Sequence, residues 1–284
     1  MSKIKTSLVL EGGGLRGAYT AGALSWLIDN NIEFDNAYGI STGAMYLCSY
    51  LLKSKEDLYD FSVKGLTDKR IIGIRPLLRC GRIVDYDFLY DHILIKEKHF
   101  DISPLKNIKC DAYIGLYVFE DSRTEYFSVK DIDMNTLKAC TSLPIIGKPV
   151  VQNGKTLMDG GISDMIPIGP SIDDGCNRSL IIATKPQSFS RKPAKKAIVN
   201  LMKRTYPQCP QIAEDYRIRH INYEKQINMI RDLQNNNEAV YICPSQSSNV
   251  TRLGGKQEDL DKLYSLGYSD MENQKEEILT LLKR

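Results

Sequence analysis

Residues 7–50 read SLVLEGGGLRGAYTAGALSWLIDNNIEFDNAYGISTGAMYLCSY, and this stretch decides the fold. Short apolar runs at 7–10 and 36–40 each end in a glycine-containing turn, and a run of helix-forming residues follows each turn. Brief apolar runs bounded by turn signals are typical of buried parallel strands. The stretch therefore predicts a strand, a tight turn and a helix, followed by the same three elements again.

The second turn places a serine between two glycines, in the order Gly39-Ile40-Ser41-Thr42-Gly43. This is the pattern of a nucleophile elbow, in which the serine lies at the apex of a strained strand-to-helix turn. Gly39 and Gly43 are required because the helix packs tightly against the strand. The pattern predicts that the Ser41 hydroxyl is an accessible nucleophile, close to the backbone N–H groups at the helix start.

The first turn, GGGLRG at residues 12–17, also fits the dinucleotide-binding pattern through Gly12, Gly14 and Gly17. A dinucleotide site needs an acidic residue after the second strand. Asp35 precedes that strand instead, and the serine of the elbow follows it, which disfavours a nucleotide cofactor. The alternative is an anion cradle, in which glycine N–H groups at a helix start bind an oxyanion or a phosphate.

Both turns leave the same end of a parallel sheet, so we expect them to meet. A nucleophilic serine also needs a base, and Asp159 is the best-placed carboxylate. It ends a hairpin whose Asn153-Gly154 turn is a strong type I′ signal, and Gly160 and Gly161 follow it. Arg16, between glycines at the helix start, is expected to brace the loop or to add positive potential at the oxyanion.

Histidine is the usual base, but the histidines of this chain lie outside the glycine-rich strand ends. His92 and His99 fall in a charged block, and His220 falls in a charged helical stretch. An α/β-hydrolase triad of Ser41, Asp159 and His220 has the right chain order. It is disfavoured because several strands precede the nucleophile in that fold, whereas one strand precedes the elbow strand here.

The composition is that of an ordinary globular protein, with 284 residues, 42% hydrophobic residues, 26% charged residues and a net charge of +3. That charge is too small to indicate a nucleic-acid partner. The 7 cysteines are spread singly, which favours reduced thiols and a cytoplasmic location. Neither a zinc-binding spacing nor a calcium-binding loop is present, so no metal or other cofactor is expected.

Strands and helices alternate along the chain, which indicates an α/β sandwich with a largely parallel sheet. We expect a catalytic core at 1–185, and a C-terminal helical extension with one late strand at 186–284, packed on the same domain. The charged block at 53–109 is either a cap or an ordinary helical layer. The basic segment at 191–204 is either a solvated helix face or a contact with anionic lipid. No apolar run approaches the roughly 18 residues of a membrane span.

Four segments together resemble the patatin-like phospholipase family. They are LEGGGLRGAYTAGAL at 10–24, FDNAYGISTGA at 34–44, ACTSLPI at 139–145 and DGGISDMIP at 159–167. The resemblance covers about residues 7–185. It implies a three-layer α/β/α fold and hydrolysis of acyl esters of phospholipids and related lipids through an acyl-serine intermediate.

Carried over by position, the resemblance implies a catalytic dyad in which Ser41 is the nucleophile and Asp159 the general base. The implied oxyanion hole comprises Gly12, Gly13, Gly14, Arg16 and Gly17. The implied supporting residues are Gly39, Thr42, Gly43, Gly160 and Gly161. The expected partner is a lipid ester, with transient contact with the inner face of the membrane; oligomeric state stays open.

Two residues depart from the family pattern. Thr42 stands where alanine is usual, and it adds bulk and a hydroxyl near the oxyanion site, which bears on rate and substrate range. Met165 stands where asparagine is common. A second reading of the whole chain is a non-catalytic protein that keeps the fold and uses the glycine turns to hold a lipid or an anion.

Overall fold

The computed structural model describes residues 4–65 and 68–283 of the chain. Its centre is a sheet of 8 strands, in the order β5-β6-β3-β2-β1-β7-β8, with β4 paired to β3 as well. Strands β3, β2, β1, β7 and β8 run parallel, and β4 and β6 run antiparallel to β3. The strands are β1 (Thr6–Leu10), β2 (Asn36–Ile40), β3 (Asp111–Val118), β4 (Arg123–Ser128), β5 (Val150–Gln152), β6 (Lys155–Asp159), β7 (Arg178–Ile182) and β8 (Ala239–Ile242).

Helices cover both faces of the parallel sheet. Successive side chains along a strand point to opposite faces, and here the side chains on both faces are buried. On β1, Leu8 and Leu10 join one core cluster while Val9 joins another. The first cluster includes Trp26 from α1, and the second includes Tyr223 from α8. This arrangement confirms the predicted α/β/α sandwich with a largely parallel sheet.

Ten α-helices have been assigned in the described part of the chain. They are α1 (Gly17–Asp29), α2 (Thr42–Leu51), α3 (Lys55–Tyr59), α4 (Ile74–Cys80), α5 (Met134–Thr141), α6 (Ile168–Asp173), α7 (Lys196–Thr205), α8 (Gln211–Asn235), α9 (Gln257–Asn273) and α10 (Lys275–Leu282). Two segments, Asp60–Lys64 and Phe88–Glu97, are π-helical.

The block at 53–109 contributes to the main core and also carries an exposed projection. Side chains such as Leu58, Tyr90 and Leu94 are buried with those of α1 and α2. Residues 71–84, here called the arm, fold back on themselves through an antiparallel bridge between Ile72 and Val84. Helix α4 forms the tip of the arm.

The C-terminal part of the chain is integrated with the core. Strand β8 extends the sheet beside β7, and α9 packs against α1. At this contact Tyr19 Oη donates to Asp270 Oδ2 at 2.9 Å, and Trp26 Nε1 donates to Glu272 Oε2 at 2.6 Å. In the described ranges, no helix combines the length and the apolar character needed to cross a bilayer.

Candidate active site

Ser41 lies at a strained turn between β2 and α2. Its backbone has φ 58° and ψ −128°, a sparsely populated region for a residue with a side chain. The turn is tight because a Cβ on Gly39 would lie 2.7 Å from Ala44 Cα, and one on Gly43 would lie 2.9 Å from Leu10 O. The glycines predicted to flank the serine are therefore required by the contact between helix and strand.

The sheet brings Asp159 to the serine. In the register of β3, Ile40 lies opposite Gly115 and Asp159 lies opposite Leu116, the next residue along that strand. As a result, Ser41 Oγ donates a hydrogen bond to Asp159 Oδ2 at 2.7 Å. The two residues are 118 positions apart in the chain, and both are buried.

The second oxygen of Asp159 is held by the backbone. Gly161 N–H donates to Asp159 Oδ1 at 2.7 Å, and Gly160 packs against the backbone of Gly115, because a Cβ on Gly160 would lie 2.6 Å from Gly115 O. The Asp159 side chain is therefore fixed in orientation, with one oxygen directed at Ser41.

Burial raises the pKa of Asp159 above its ordinary value. The hydrogen bonds from Ser41 and Gly161 offset part of this rise, as do the positive charges of Arg219 and Arg252. The net upward shift makes the carboxylate a stronger base than an exposed aspartate, and a base is what the serine hydroxyl needs.

The first glycine turn lies directly beside Ser41, but its N–H groups are not equivalent. Gly12 N–H donates to Met165 O at 3.2 Å, and Gly13 N–H donates to Thr42 Oγ1 at 3.3 Å. Gly14 adopts φ 60°, begins a short 3₁₀ turn and lines the cavity at Ser41.

Gly17 has a packing role and does not face this cavity. Its N–H donates to Gly14 O and Leu15 O within the turn, so that hydrogen is already engaged and cannot reach an oxyanion. A Cβ on Gly17 would lie 2.6 Å from the Tyr46 ring. The residue allows α1 to approach α2, and we exclude it from the oxyanion group.

Thr42 and Met165, the two residues that depart from the family pattern, both form hydrogen bonds with this turn. The Thr42 hydroxyl accepts from Gly13 N–H, and the Met165 carbonyl accepts from Gly12 N–H. Met165 therefore acts through its backbone, a contact that other side chains at this position would also allow. Thr42 acts through its side chain, whose hydroxyl occupies the N–H of Gly13.

A buried ion pair supports the turn from below. Lys185 Nζ bonds to Glu11 Oε1, and the other Glu11 oxygen accepts from Thr184 N at 2.6 Å and from Thr184 Oγ1 at 2.8 Å. Burial alone raises the pKa of Glu11, but Lys185 and Thr184 outweigh it, so the net pKa shift is downward. The pair ties the ends of β1 and β7 together under the glycine turn.

The direct contact between Ser41 and Asp159 leaves no space for an imidazole between them, as a triad would require. None of the described residues around Ser41 is a histidine. Asp35, the acid that precedes β2, accepts from Thr6 N at 2.8 Å at the opposite end of the parallel strands. No cluster of His, Cys, Asp or Glu suited to a metal occurs in residues 4–65 and 68–283.

The small cavity at Ser41, here called the basic cavity, is lined by the glycine turn, by Asp159 and by five side-chain cations. The cations are Arg16, Lys185, Arg191, Arg219 and Arg252. Sequence reasoning identified Arg16 but missed the others. Arg191 did carry a signal, because it begins the basic segment at 191–204, yet α7 starts only at Lys196 and Arg191 faces the cavity.

A second cavity, here called the apolar cavity, adjoins the first. The two share Gly14, Ser41, Leu143 and Arg252. The apolar cavity is otherwise lined mainly by hydrophobic side chains from α2, from the arm and from the π-helical segment after it, among them Met45, Ile71, Ile72, Val84 and Leu89. Ser41 therefore lies between a positively charged space and a hydrophobic one.

Two family models match parts of the chain. A family model described as patatin-like phospholipase matches residues 8–172, and a model described as a domain of unknown function, DUF6363, matches residues 209–283. Uncharacterized protein YjjU of Escherichia coli strain K12 is 24% identical over 196 residues, which are 66% of this chain and 54% of that protein. The crystal structure of VipD from Legionella pneumophila matches with a TM-score of 0.47 at 13% identity, covering 95% of this chain and 66% of that one.

This chain therefore spans just over half the length of YjjU and just under two thirds of the length of VipD. The family model confirms the resemblance that four sequence segments indicate.

Proposed function

This chain belongs to the patatin-like phospholipase family, and on that premise we propose that it hydrolyses carboxylic esters of phospholipids or lysophospholipids through Ser41 and Asp159. The family supports lipid acyl hydrolysis in general. The observation that carries the assignment to these residues is the 2.7 Å hydrogen bond from Ser41 Oγ to Asp159 Oδ2, made at a strained strand-to-helix turn. A serine held at such a turn against a buried carboxylate has the geometry of an activated nucleophile.

In the acylation step, Ser41 Oγ attacks the ester carbonyl carbon and its proton passes to Asp159 Oδ2. The carbonyl oxygen becomes an oxyanion. Collapse of this intermediate breaks the bond to the alcohol oxygen, and Asp159 returns the proton to the leaving alcohol. The products of the step are an acyl-serine and a free alcohol.

In the deacylation step, Asp159 accepts a proton from a water molecule as that water attacks the acyl-serine. The second tetrahedral intermediate collapses to a carboxylic acid, and the proton returns from Asp159 to Ser41 Oγ. The raised pKa of Asp159 favours both proton uptakes. Its fixed orientation keeps the same oxygen at the reacting atoms throughout.

Charge on the oxyanion is carried by the first glycine turn. Gly14, which lines the cavity, would supply one N–H donor. Gly13 N–H becomes available once the substrate oxygen replaces the Thr42 hydroxyl, to which it now donates at 3.3 Å. Arg16 adds positive potential from the same loop. Preorganised donors of this kind are usually the largest single contribution to acyl-transfer catalysis.

Membrane contact is assigned to the arm. Ile74 and Leu78 on α4 are 75% and 82% exposed, and Leu77 and Ile83 beside them are exposed as well. The base of the arm walls the apolar cavity through Ile72 and Val84. An exposed apolar tip leading to a hydrophobic cavity suits transfer of an acyl chain from a lipid surface.

The test is ester hydrolysis by the wild type and by Ser41→Ala and Asp159→Asn, with His220→Ala as the control. The substrates are p-nitrophenyl esters of short and long acyl chains, followed by phospholipid vesicles. We expect both dyad variants to lose activity by roughly a thousandfold or more, and His220→Ala to keep it. If the wild type cleaves no ester and Ser41 does not react with a fluorophosphonate, the proposal fails and lipid or anion binding takes its place.

A further inference from the structure

The basic cavity holds more positive charge than the proposed chemistry requires. Arg16 serves the oxyanion loop, but the other four cations come from after β7, from α8 and from the loop before α9. Of the described residues that line this cavity, Asp159 is the one acid. The proposed chemistry therefore does not account for the positive charge of this cavity.

The charges of Glu11 and Asp159 act on the arginines of the cavity from a distance, but neither carboxylate forms an ion pair with them. Glu11 is occupied by Lys185 and Thr184, and Asp159 is occupied by Ser41 and Gly161. Over residues 4–65 and 68–283, no carboxylate oxygen lies within 4.0 Å of a guanidinium nitrogen from the cavity, so none of its arginines has an ion-pair partner there.

Arg219 shows the imbalance most clearly. It is 8% exposed, and within the described structure its Nε has no hydrogen-bond partner. The same holds for Nε of Arg191. Burial and the charges of Arg252 and Arg191 lower the pKa of Arg219, although Tyr216, whose ring lies 4.9 Å from the guanidinium, partly counteracts them.

The pKa of Tyr216 is affected by the same positive charges. Burial raises the pKa of this phenol, yet the Arg219 and Arg252 guanidiniums outweigh burial, so the net pKa shift is downward. A buried cation without a counter-charge is costly. A bound anion would relieve that cost for several side chains at once, which distinguishes this cavity from a single satisfied surface arginine.

The two cavities meet at Ser41, so an ester bound there has an acyl side and an alcohol side. The apolar cavity suits the acyl chain. The alcohol part then extends into the basic cavity, where guanidinium forks match the oxygens of a phosphate.

We propose that the basic cavity binds a phosphate group carried on the alcohol side of the scissile ester, and that Arg219 and Arg252 select such substrates. This inference rests on the proposed function. It assigns a role to the C-terminal region matched by the DUF6363 model, because both arginines lie within residues 209–283. Arg252 O also accepts from Leu15 N at 3.0 Å, which fixes this region against the glycine turn.

The experiment compares kcat/KM for 1-oleoylglycerol 3-phosphate and for 1-oleoylglycerol in the same neutral detergent micelles, because these esters differ only in the phosphate. We expect the wild type to prefer the phosphate-bearing ester by at least roughly tenfold. Arg219→Gln and Arg252→Gln should each lower the ratio of the two kcat/KM values by roughly 10- to 100-fold, since hydrogen bonds to charged groups are lost.

The matched control is Arg217→Gln. Arg217 lies on the same helix but is exposed and paired with Glu214 at 2.7 Å, so the ratio should stay at the wild-type value. A loss of both activities in parallel in Arg219→Gln would overturn the selective role, because a purely structural arginine would affect the two esters alike.

A second measurement separates this inference from the proposed function. Inorganic phosphate is titrated into the Ser41→Ala variant by calorimetry, with chloride at equal ionic strength as the reference. Phosphate binding that is lost in Ser41→Ala/Arg219→Gln supports the site even if no ester is cleaved. Equal cleavage of both esters without phosphate binding overturns the site and leaves the hydrolase assignment intact.

Discussion

At the scale of single residues, the site combines two unfavourable states. Ser41 holds a positive φ, which costs on the order of 1–3 kcal/mol, and Asp159 is buried with a raised pKa. Each is held in place by its neighbours, Ser41 by the close approach of α2 and Asp159 by Gly161 N–H. In the proposed mechanism, the strained turn holds the Ser41 hydroxyl against Asp159, and the raised pKa favours uptake of the serine proton by that carboxylate.

The raised pKa of Asp159 predicts the acid limb of the pH profile. The base must be ionised to accept a proton, so activity falls as the pH drops through the pKa of the free enzyme. Because that pKa is raised, the limb in kcat/KM lies above the roughly 3.9 of an ordinary aspartate. Arg219→Gln should move the limb further up, since the charge of Arg219 lowers the pKa of Asp159.

The measurement is kcat/KM against pH with a neutral ester, whose own charge does not change. Arg217→Gln, which alters an exposed arginine, should leave the limb in place. A limb at or below pH 4, or one that moves down in Arg219→Gln, would contradict a buried aspartate base.

Thr42 offers a second prediction at this scale. Its hydroxyl accepts from Gly13 N–H, and the substrate must displace it before that donor reaches the oxyanion. A neutral hydrogen bond contributes about 0.5–1.5 kcal/mol, so Thr42→Ala should raise kcat by roughly 2- to 10-fold.

Thr42→Ser is the control, because it keeps the hydroxyl and should retain the wild-type kcat on the same p-nitrophenyl ester. A fall in kcat for Thr42→Ala with wild-type stability would mean instead that the hydroxyl assists the reaction.

The two residues of the proposed dyad could be selected from the sequence because each stands in a local pattern. Ser41 lies between glycines after a strand, and Asp159 follows a hairpin and precedes two glycines. Arg219 and Arg252 carry no local pattern, and they reach the site only because α8 and the loop between β8 and α9 pack beside it. Long-range packing of this kind leaves no trace in the spacing of residues.

At the scale of secondary structure, turns were predicted better than strand pairing. Asn153 and Gly154 have φ values of 49° and 76°, as the type I′ turn requires, and β2 spans the predicted residues 36–40. The register of β6 on β3 was not predictable, because a short strand without strict alternation fits several partners. That register is what places Asp159 beside Ser41.

The contact between helices α1 and α9 is expected to depend on two glycines. A Cβ on Gly267 would lie 2.0 Å from Tyr19 O, and one on Gly22 would lie 1.8 Å from Tyr264 O. The helices therefore approach each other at glycine on both sides. Gly267→Ala should lower the free energy of unfolding by about 1–3 kcal/mol, because the backbones must separate.

Thermal or denaturant unfolding measures this change. Gly169→Ala is the control, since this glycine lies in α6 and a Cβ there meets no atom within 4 Å. Alanine is the better helix former, so the control should be neutral or slightly stabilising. Equal stability of Gly267→Ala and the wild type would show that the two helices can separate at little cost.

At the scale of the whole molecule, the C-terminal region completes the site that the first part of the chain begins. Strand β8 extends the sheet, α9 packs against α1, and the loop between them delivers Arg252 to the glycine turn. The expected extension at 186–284 is thus joined to the core on several sides. The proposed dyad, Arg16 and Lys185 lie in the first 185 residues, whereas the other three cations of the basic cavity come from the extension.

The positions of the exposed apolar residues predict how the molecule contacts a membrane. The tip of the arm exposes Ile74 and Leu78, whereas the basic helix α7 buries Val199 and Met202 and leaves Leu201 43% exposed. Contact through the arm would bring a lipid surface to the mouth of the apolar cavity. Ile74→Ser/Leu78→Ser should therefore reduce binding to anionic phospholipid vesicles by roughly tenfold or more, since each side chain contributes about 1.5–3 kcal/mol when buried.

Vesicle flotation measures the binding, and a soluble short-chain ester measures the chemistry in the same preparations. The double variant should lose far more activity on vesicles than on the soluble ester, because the dyad lies away from the tip. Leu201→Ser tests the competing surface, the basic helix weighed from the sequence. If Leu201→Ser releases the protein from vesicles and the arm variant does not, the membrane-facing side of the molecule is α7, and the apolar cavity must fill from a lipid that has already left the bilayer.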